Sequence, residues 1–233
     1  QIYASHAYEM PAGRPILASD CQGAGTAVYV VSRIAGEGAD RFEKTGDYYL
    51  TQEEKRDLET LSRMVDSLVV VLNVGAQIDV EEILSFDKVK ALLSLVQPGM
   101  EGGNALADVL TGAVNPSGKL TDTWAVRYSD FPNAATFSHN NGNIETEKYE
   151  EGIYVGYRYF DSFGIEPVFP FGYGLSYTQF EVEAKAVTTD HASVTVSVAV
   201  TNTGSRAGKE VAQIYASCPQ QGMAKEYRRL CGF

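Results

Sequence analysis

The chain has 233 residues, 44% of them hydrophobic, and a formal net charge of −11. That length suits one large or two smaller globular domains, and the acidic balance repels phosphate backbones, so nucleic acid is not an expected partner. No apolar run is long enough to span a bilayer, and no membrane partner is expected. The acidic residues are scattered rather than gathered in a tail, as on a solvated surface.

Residues 1–25 read as irregular, with Pro11, Gly13, Pro15, Gly23 and Gly25. The start, Gln1-Ile2-Tyr3-Ala4-Ser5-His6, has no basic region and no apolar core, so no signal peptide is read there. It also lacks Met, which suggests a fragment or a processed chain. The cytoplasm is the favoured location, and export stays open.

Thr26 to Arg33 is rich in β-branched and aromatic residues and predicts a strand. A glycine-bearing loop runs from Ile34 to Tyr49. Thr51 and Glu54 form a capping box, and Leu58, Leu61 and Val65 follow at helical spacing, which predicts a helix from about Gln52 to Asp66. Leu68 to Val74 is almost continuously apolar, so both of its faces need cover, as in a parallel strand between helix layers. Val89–Val96 reads as a further strand and Asn104–Ala113 as a further helix. The order indicates an open, mostly parallel α/β sheet with helices on both faces, an α/β sandwich. Residues 126–178 are aromatic, rich in loops and weakly periodic. From Phe180 the pattern is β: Val194, Val196, Val198 and Val200 alternate with polar or small residues, and Val211–Ala216 follows as a second strand. The expected domains are an α/β sandwich over 1–125 that lacks its first strand, a connection over 126–178, and an incomplete β-sandwich over 179–233.

Cys21, Cys218 and Cys231 make no CxxC and no metal-ligand spacing. Free thiols are the default, with a Cys218–Cys231 bridge left open. His6, His139 and His191 stand far apart, so no metal site is indicated.

Ligands of open α/β sheets bind beyond the carboxyl ends of the strands. Three loops leave such ends: residues 35–41, 75–79 and 98–103. In the first, Glu37 is flanked by Gly36 and Gly38, which let the backbone bring its carboxyl close to another surface. By residue type alone it reads as a solvated carboxylate. Glu101 precedes a helix and is accounted for by the helix dipole. Gly102 and Gly103 make no phosphate-binding motif. Glu150 and Glu151, beside Tyr149, read as a hydrogen-bonded hinge for the aromatic segment.

Several blocks then stand in one order. They are Ser32-Arg33-Ile34-Ala35-Gly36-Glu37-Gly38-Ala39-Asp40-Arg41, Gly46-Asp47-Tyr48-Tyr49-Leu50, Val69 to Asp79, Pro98 to Leu110, Asn115-Pro116-Ser117-Gly118-Lys119-Leu120, and Phe169-Pro170-Phe171-Gly172-Tyr173-Gly174-Leu175-Ser176-Tyr177-Thr178. Their ordered combination resembles the C-terminal portion of glycoside hydrolase family 3, the β-glucosidase family. Thr201 to Val211 resembles the opening of that family's fibronectin type III-like domain.

The resemblance implies a retaining β-glucosidase acting on β-glucosides or oligosaccharides. An N-terminal TIM-like barrel, absent here, supplies the Asp nucleophile. The sandwich supplies the acid/base, which carries over to Glu37, with Glu151 as the backup candidate. The two carboxyls would need to lie ~5–5.5 Å apart. The resemblance implies no metal and no organic cofactor. A non-catalytic carbohydrate-binding or structural module stays open as an alternative, as does β-xylosidase or β-N-acetylglucosaminidase specificity. The oligomeric state is not readable.

Overall fold

The protein is described from a computed structural model, which covers residues 14–34, 40–138 and 140–233 and the backbone of residues 3–5. It divides into two compact units, Gln1–Leu106 and Ala107–Phe233.

The first unit is built on a four-stranded parallel sheet in the order β1 (Tyr3–Ser5), β2 (Thr26–Ser32), β3 (Ser67–Asn73) and β4 (Val89–Ser94). Helices α1 (Gln52–Met64) and α2 (Glu81–Ser85) connect the strands, and α3 (Gly102–Thr111) follows β4. This is the expected α/β layer architecture, with helices on both faces of the sheet. Strand β3 lies in the middle, and its Leu68, Val70, Val71 and Leu72 are all buried, as a continuous apolar run requires. Tyr29 and Val31 of β2 and Leu58 and Leu61 of α1 complete the core. Burial of this kind contributes roughly 1.5–3 kcal/mol per large aliphatic side chain.

The expectation that residues 1–25 are irregular needs correcting, because Tyr3–Ser5 pairs with Tyr29–Val31. A three-residue strand shows no periodicity in sequence. Helix α2 also escaped the sequence reading; five residues are too few for a helical repeat.

In the second unit residues 112–125 run beside the aromatic segment. Leu120 and Tyr173 share a backbone hydrogen bond of 2.9 Å, and Trp124 donates to the Phe169 carbonyl at 2.8 Å. Asn115 Oδ1 accepts from the Tyr177 backbone N–H at 2.7 Å. These bonds tie residues 112–125 to the aromatic segment within the second unit.

The aromatic stretch itself contains a helix, α4 (Tyr157–Phe163), where loop was expected. It ends at Gly164 in the left-handed conformation. The rings of Tyr154, Tyr159 and Phe163 pack together along it, and Phe160 is buried against Phe131. Tyr157 faces Phe171 and Tyr215 at 5.1 and 5.7 Å between ring centroids, and its hydroxyl accepts from the Leu230 N–H at 2.8 Å.

Two small antiparallel sheets follow, β5 (Phe180–Thr189) with β6 (Val194–Asn202), and β7 (Ile214–Ala216) with β8 (Arg229–Gly232). They fit an unclosed fibronectin type III-like module. The strand expected over Val211–Ala216 is confined to Ile214–Ala216. All three cysteines are free. The β7–β8 register explains why Cys218 and Cys231 do not join: Ala216 pairs with Arg229, so the two thiols lie toward opposite ends of the ladder.

Candidate active site

Because β2, β3 and β4 are parallel, the loops after them all leave one edge of the sheet. Glu37 belongs to the loop after β2 and lies, with residues 35–39, outside the described residues. What the structure describes is the frame from which that segment is presented.

The incoming stem is Arg33, which follows the last residue of β2. Its side chain is only 4% exposed and that of Glu54 is 0% exposed. The guanidinium makes a fork on Glu54, with Nη1 to Oε1 at 2.7 Å and Nη2 to Oε2 at 2.8 Å. It also donates to the carbonyls of Ser32 at 2.8 Å, Asp47 at 2.8 Å and Tyr49 at 3.2 Å. Planar guanidinium geometry makes that many simultaneous bonds available from one side chain. Glu54 in turn closes the capping box of α1: its Oε2 accepts from the Thr51 N–H at 2.8 Å, and its own N–H donates to Thr51 Oγ1 at 3.0 Å.

The outgoing stem is Arg41. Its Nε donates to Asp47 Oδ1, and its Nη2 donates to the Asp47 carbonyl at 2.8 Å. Asp47 Oδ2 accepts from the Phe42 N–H at 2.8 Å. Gly46, at φ +82°, makes the turn that leads into Asp47; a side chain would be strained in that conformation. Between the two stems, Ile34 and Asp40 are exposed.

The other two loops have structural uses for their polar groups. Asp79 Oδ1 accepts from the Glu81 N–H at 3.0 Å at the start of α2. Glu101 accepts from Asn104 Nδ2 at 2.6 Å at the start of α3. A Cβ on Gly102 would come within 2.3 Å of Pro98 Cγ, so that glycine serves a close packing contact. Glu150 is exposed and Glu151 is half-buried, both in the second unit, where Asn133 Nδ2 donates to Glu151 Oε2. Of the two glutamates read as a hydrogen-bonded hinge, Glu151 is the one with this bond.

Among the described residues no group of three or more His, Cys, Asp and Glu is placed to hold a metal ion. A shallow cavity of about 350 Å³ lies around Cys21, Gly23 and Thr26, at the amino end of β2, away from the candidate loop. Sequence reasoning treated Glu54 as a helix cap alone and gave Arg33 and Asp47 no role of their own. The available signal was a cation directly after an apolar strand, which needs a partner if its strand is buried.

The family model described as glycosyl hydrolase family 3 C-terminal domain matches residues 17–157, and the chain belongs to that family. It is 43% identical over 226 residues to a beta-glucosidase of Ruminococcus albus, covering 97% of this chain and 23% of that protein. Beta-glucosidase 3B from Thermotoga neapolitana, solved in complex with glycerol, superposes with a TM-score of 0.87 at 40% identity, covering 96% of this chain and 32% of that one. A beta-glucosidase from Paenibacillus barengoltzii gives a TM-score of 0.87 at 42% identity, with 96% and 24% covered. The chain thus spans about a quarter to a third of the length of these relatives.

Proposed function

We propose that this chain is the part of a retaining β-glucosidase that contributes the general acid/base, Glu37, while an N-terminal barrel outside it contributes an Asp nucleophile. The observation that carries this reading is family membership combined with the frame around residues 35–39: a Gly-Glu-Gly segment held at both stems by buried or half-buried arginines. The substrate class follows from the relatives, which are beta-glucosidases.

The chemistry has two steps. Glu37, protonated, gives its proton to the glycosidic oxygen as the nucleophilic carboxylate attacks the anomeric carbon, and the aglycone leaves. Glu37, now a carboxylate, takes a proton from water, which attacks the glycosyl-enzyme ester and releases the sugar. The acid must hold its proton near neutral pH. A neighbouring carboxylate and burial against bound sugar both favour the neutral form. A glycine on each side lets the backbone approach a surface that a bulkier neighbour would hold away.

The test is Glu37→Ala in the full-length enzyme. Hydrolysis of glucosides with poor leaving groups should fall by roughly 10²–10⁴-fold, with a smaller loss for activated aryl glucosides. Azide should restore part of the turnover and yield β-glucosyl azide. Unchanged kinetics would overturn the assignment and make Glu151 the next residue to replace.

A further inference from the structure

We propose that Asp47 is a positioning residue for the acid/base, a point on which both stems of the 35–39 segment are clasped. This rests on the reading of Glu37 given above. The Asp47 carbonyl oxygen accepts from Arg33 Nε and from Arg41 Nη2, each at 2.8 Å, so the residues that enter and leave the segment are tied to one atom. Its carboxylate adds Arg41 Nε and the Phe42 N–H. The Asp47 side chain is 16% exposed and that of Arg41 20%, so the pair is largely shielded from solvent and salt. Arg41 Nη1 is buried and has no acceptor among the described residues, so Asp47 supplies every hydrogen bond that this guanidinium makes there.

The consequence is geometric. Arg33 is fixed independently by Glu54, so the incoming stem stays in place without Asp47. The Arg41 guanidinium has no such second anchor among the described residues, where Asp47 takes all of its hydrogen bonds. Loss of the Asp47 carboxylate removes the ties to Arg41 Nε and the Phe42 N–H and leaves Arg41 only the backbone carbonyl, so the outgoing end of the segment loosens and residue 37 is held less closely to the glycosidic oxygen. A misplacement of about 1 Å can cost on the order of 10²-fold in rate. The loss belongs to proton donation, so it depends on how much help the leaving group needs.

The experiment compares Asp47→Asn, Arg41→Lys and Glu37→Gln in the full-length enzyme. The readout is kcat/KM, which reports formation of the glycosyl-enzyme, on phenyl β-glucoside and on 2,4-dinitrophenyl β-glucoside. Asp47→Asn should lower kcat/KM about 10- to 100-fold on the phenyl glucoside. It should leave the dinitrophenyl glucoside within about twofold, since a good leaving group needs little acid assistance. Arg41→Lys keeps the charge and loses the fork, so it should show the same pattern and serves if Asp47→Asn does not fold. Equal losses on both substrates, or no loss, overturn the positioning role. If Glu37→Gln itself shows no leaving-group dependence, the acid/base reading fails. If Glu37→Gln shows that dependence and the clasp variants do not, the clasp alone fails.

Discussion

Glu54 shows how much one side chain can carry in this domain. It is fully buried, pairs with both terminal nitrogens of Arg33, and accepts the free N–H at the start of α1. Removing one charge of such a pair leaves the other buried and unpaired, which typically costs about 3–5 kcal/mol. Glu54→Gln should therefore lower the urea midpoint of the first unit by a corresponding amount. The double replacement Arg33→Met with Glu54→Leu should recover part of that loss, because two apolar groups leave no orphaned charge. A single variant no less stable than the double one would count against this account. The sequence shows Glu54 as a helix cap because Thr51 stands three residues away. It does not show Arg33 as its partner, because they lie 21 residues apart and only the folding of α1 against β2 brings them together.

At the level of elements, legibility tracks length and regularity. Strand β3 and helix α1 fall within a residue or two of their expected bounds, because a continuous apolar run and a capping box are local signals. Helix α4 was hidden because it is only seven residues long, too short a window for a 3.6-residue stripe to stand out inside an aromatic, loop-rich stretch. Strand β8 was missed for want of a partner in sequence: Leu230 finds Tyr215 and Tyr157 only in space. The second unit also has a titrating tie, Lys119 to Glu210 at 3.0 Å, with side chains 15% and 18% exposed. Burial pushes the Glu210 pKa up, but the Val211 N–H and Lys119 outweigh it, and the pKa ends below its ordinary value of 4.5. A depressed folded pKa stabilises the unit above pH 4.5, and that stabilisation is lost as pH falls through the folded value. Glu210→Gln should therefore lower the melting temperature most above pH 4.5, with the difference from the parent shrinking as the solution is acidified. Melts taken from pH 6 to pH 3 check it; a difference that grows on acidification would contradict the sign.

For the whole molecule, the decisive fact is proportion. The chain matches beta-glucosidases along nearly all of its own length but only about a quarter to a third of theirs. Double displacement at a glycosidic centre needs two carboxylates on opposite duties. The 233-residue chain by itself is therefore expected to release no nitrophenol from 4-nitrophenyl β-glucoside, even at high protein concentration. Turnover above the uncatalysed rate, abolished by Glu37→Ala, would mean that a second carboxylate of this chain serves as nucleophile. The β5–β6 hairpin leaves Val182, Val187, Val194 and Val200 exposed. A two-stranded sheet is marginal by itself.

The sequence by itself determined the class of fold, the family and the candidate Glu37. Each rests on local order: apolar runs, a capping box, and motifs that follow one another along the chain. Only the tertiary structure decided what braces the candidate loop, because Arg33, Arg41, Asp47 and Glu54 are scattered over more than twenty residues and meet through hydrogen bonds that linear spacing does not encode. It likewise gave Glu151 an Asn133 partner and the aromatic stretch a helix. Local signals depend on neighbours in the chain, whereas buried charges depend on neighbours in space, and the loop's support is made of buried charges.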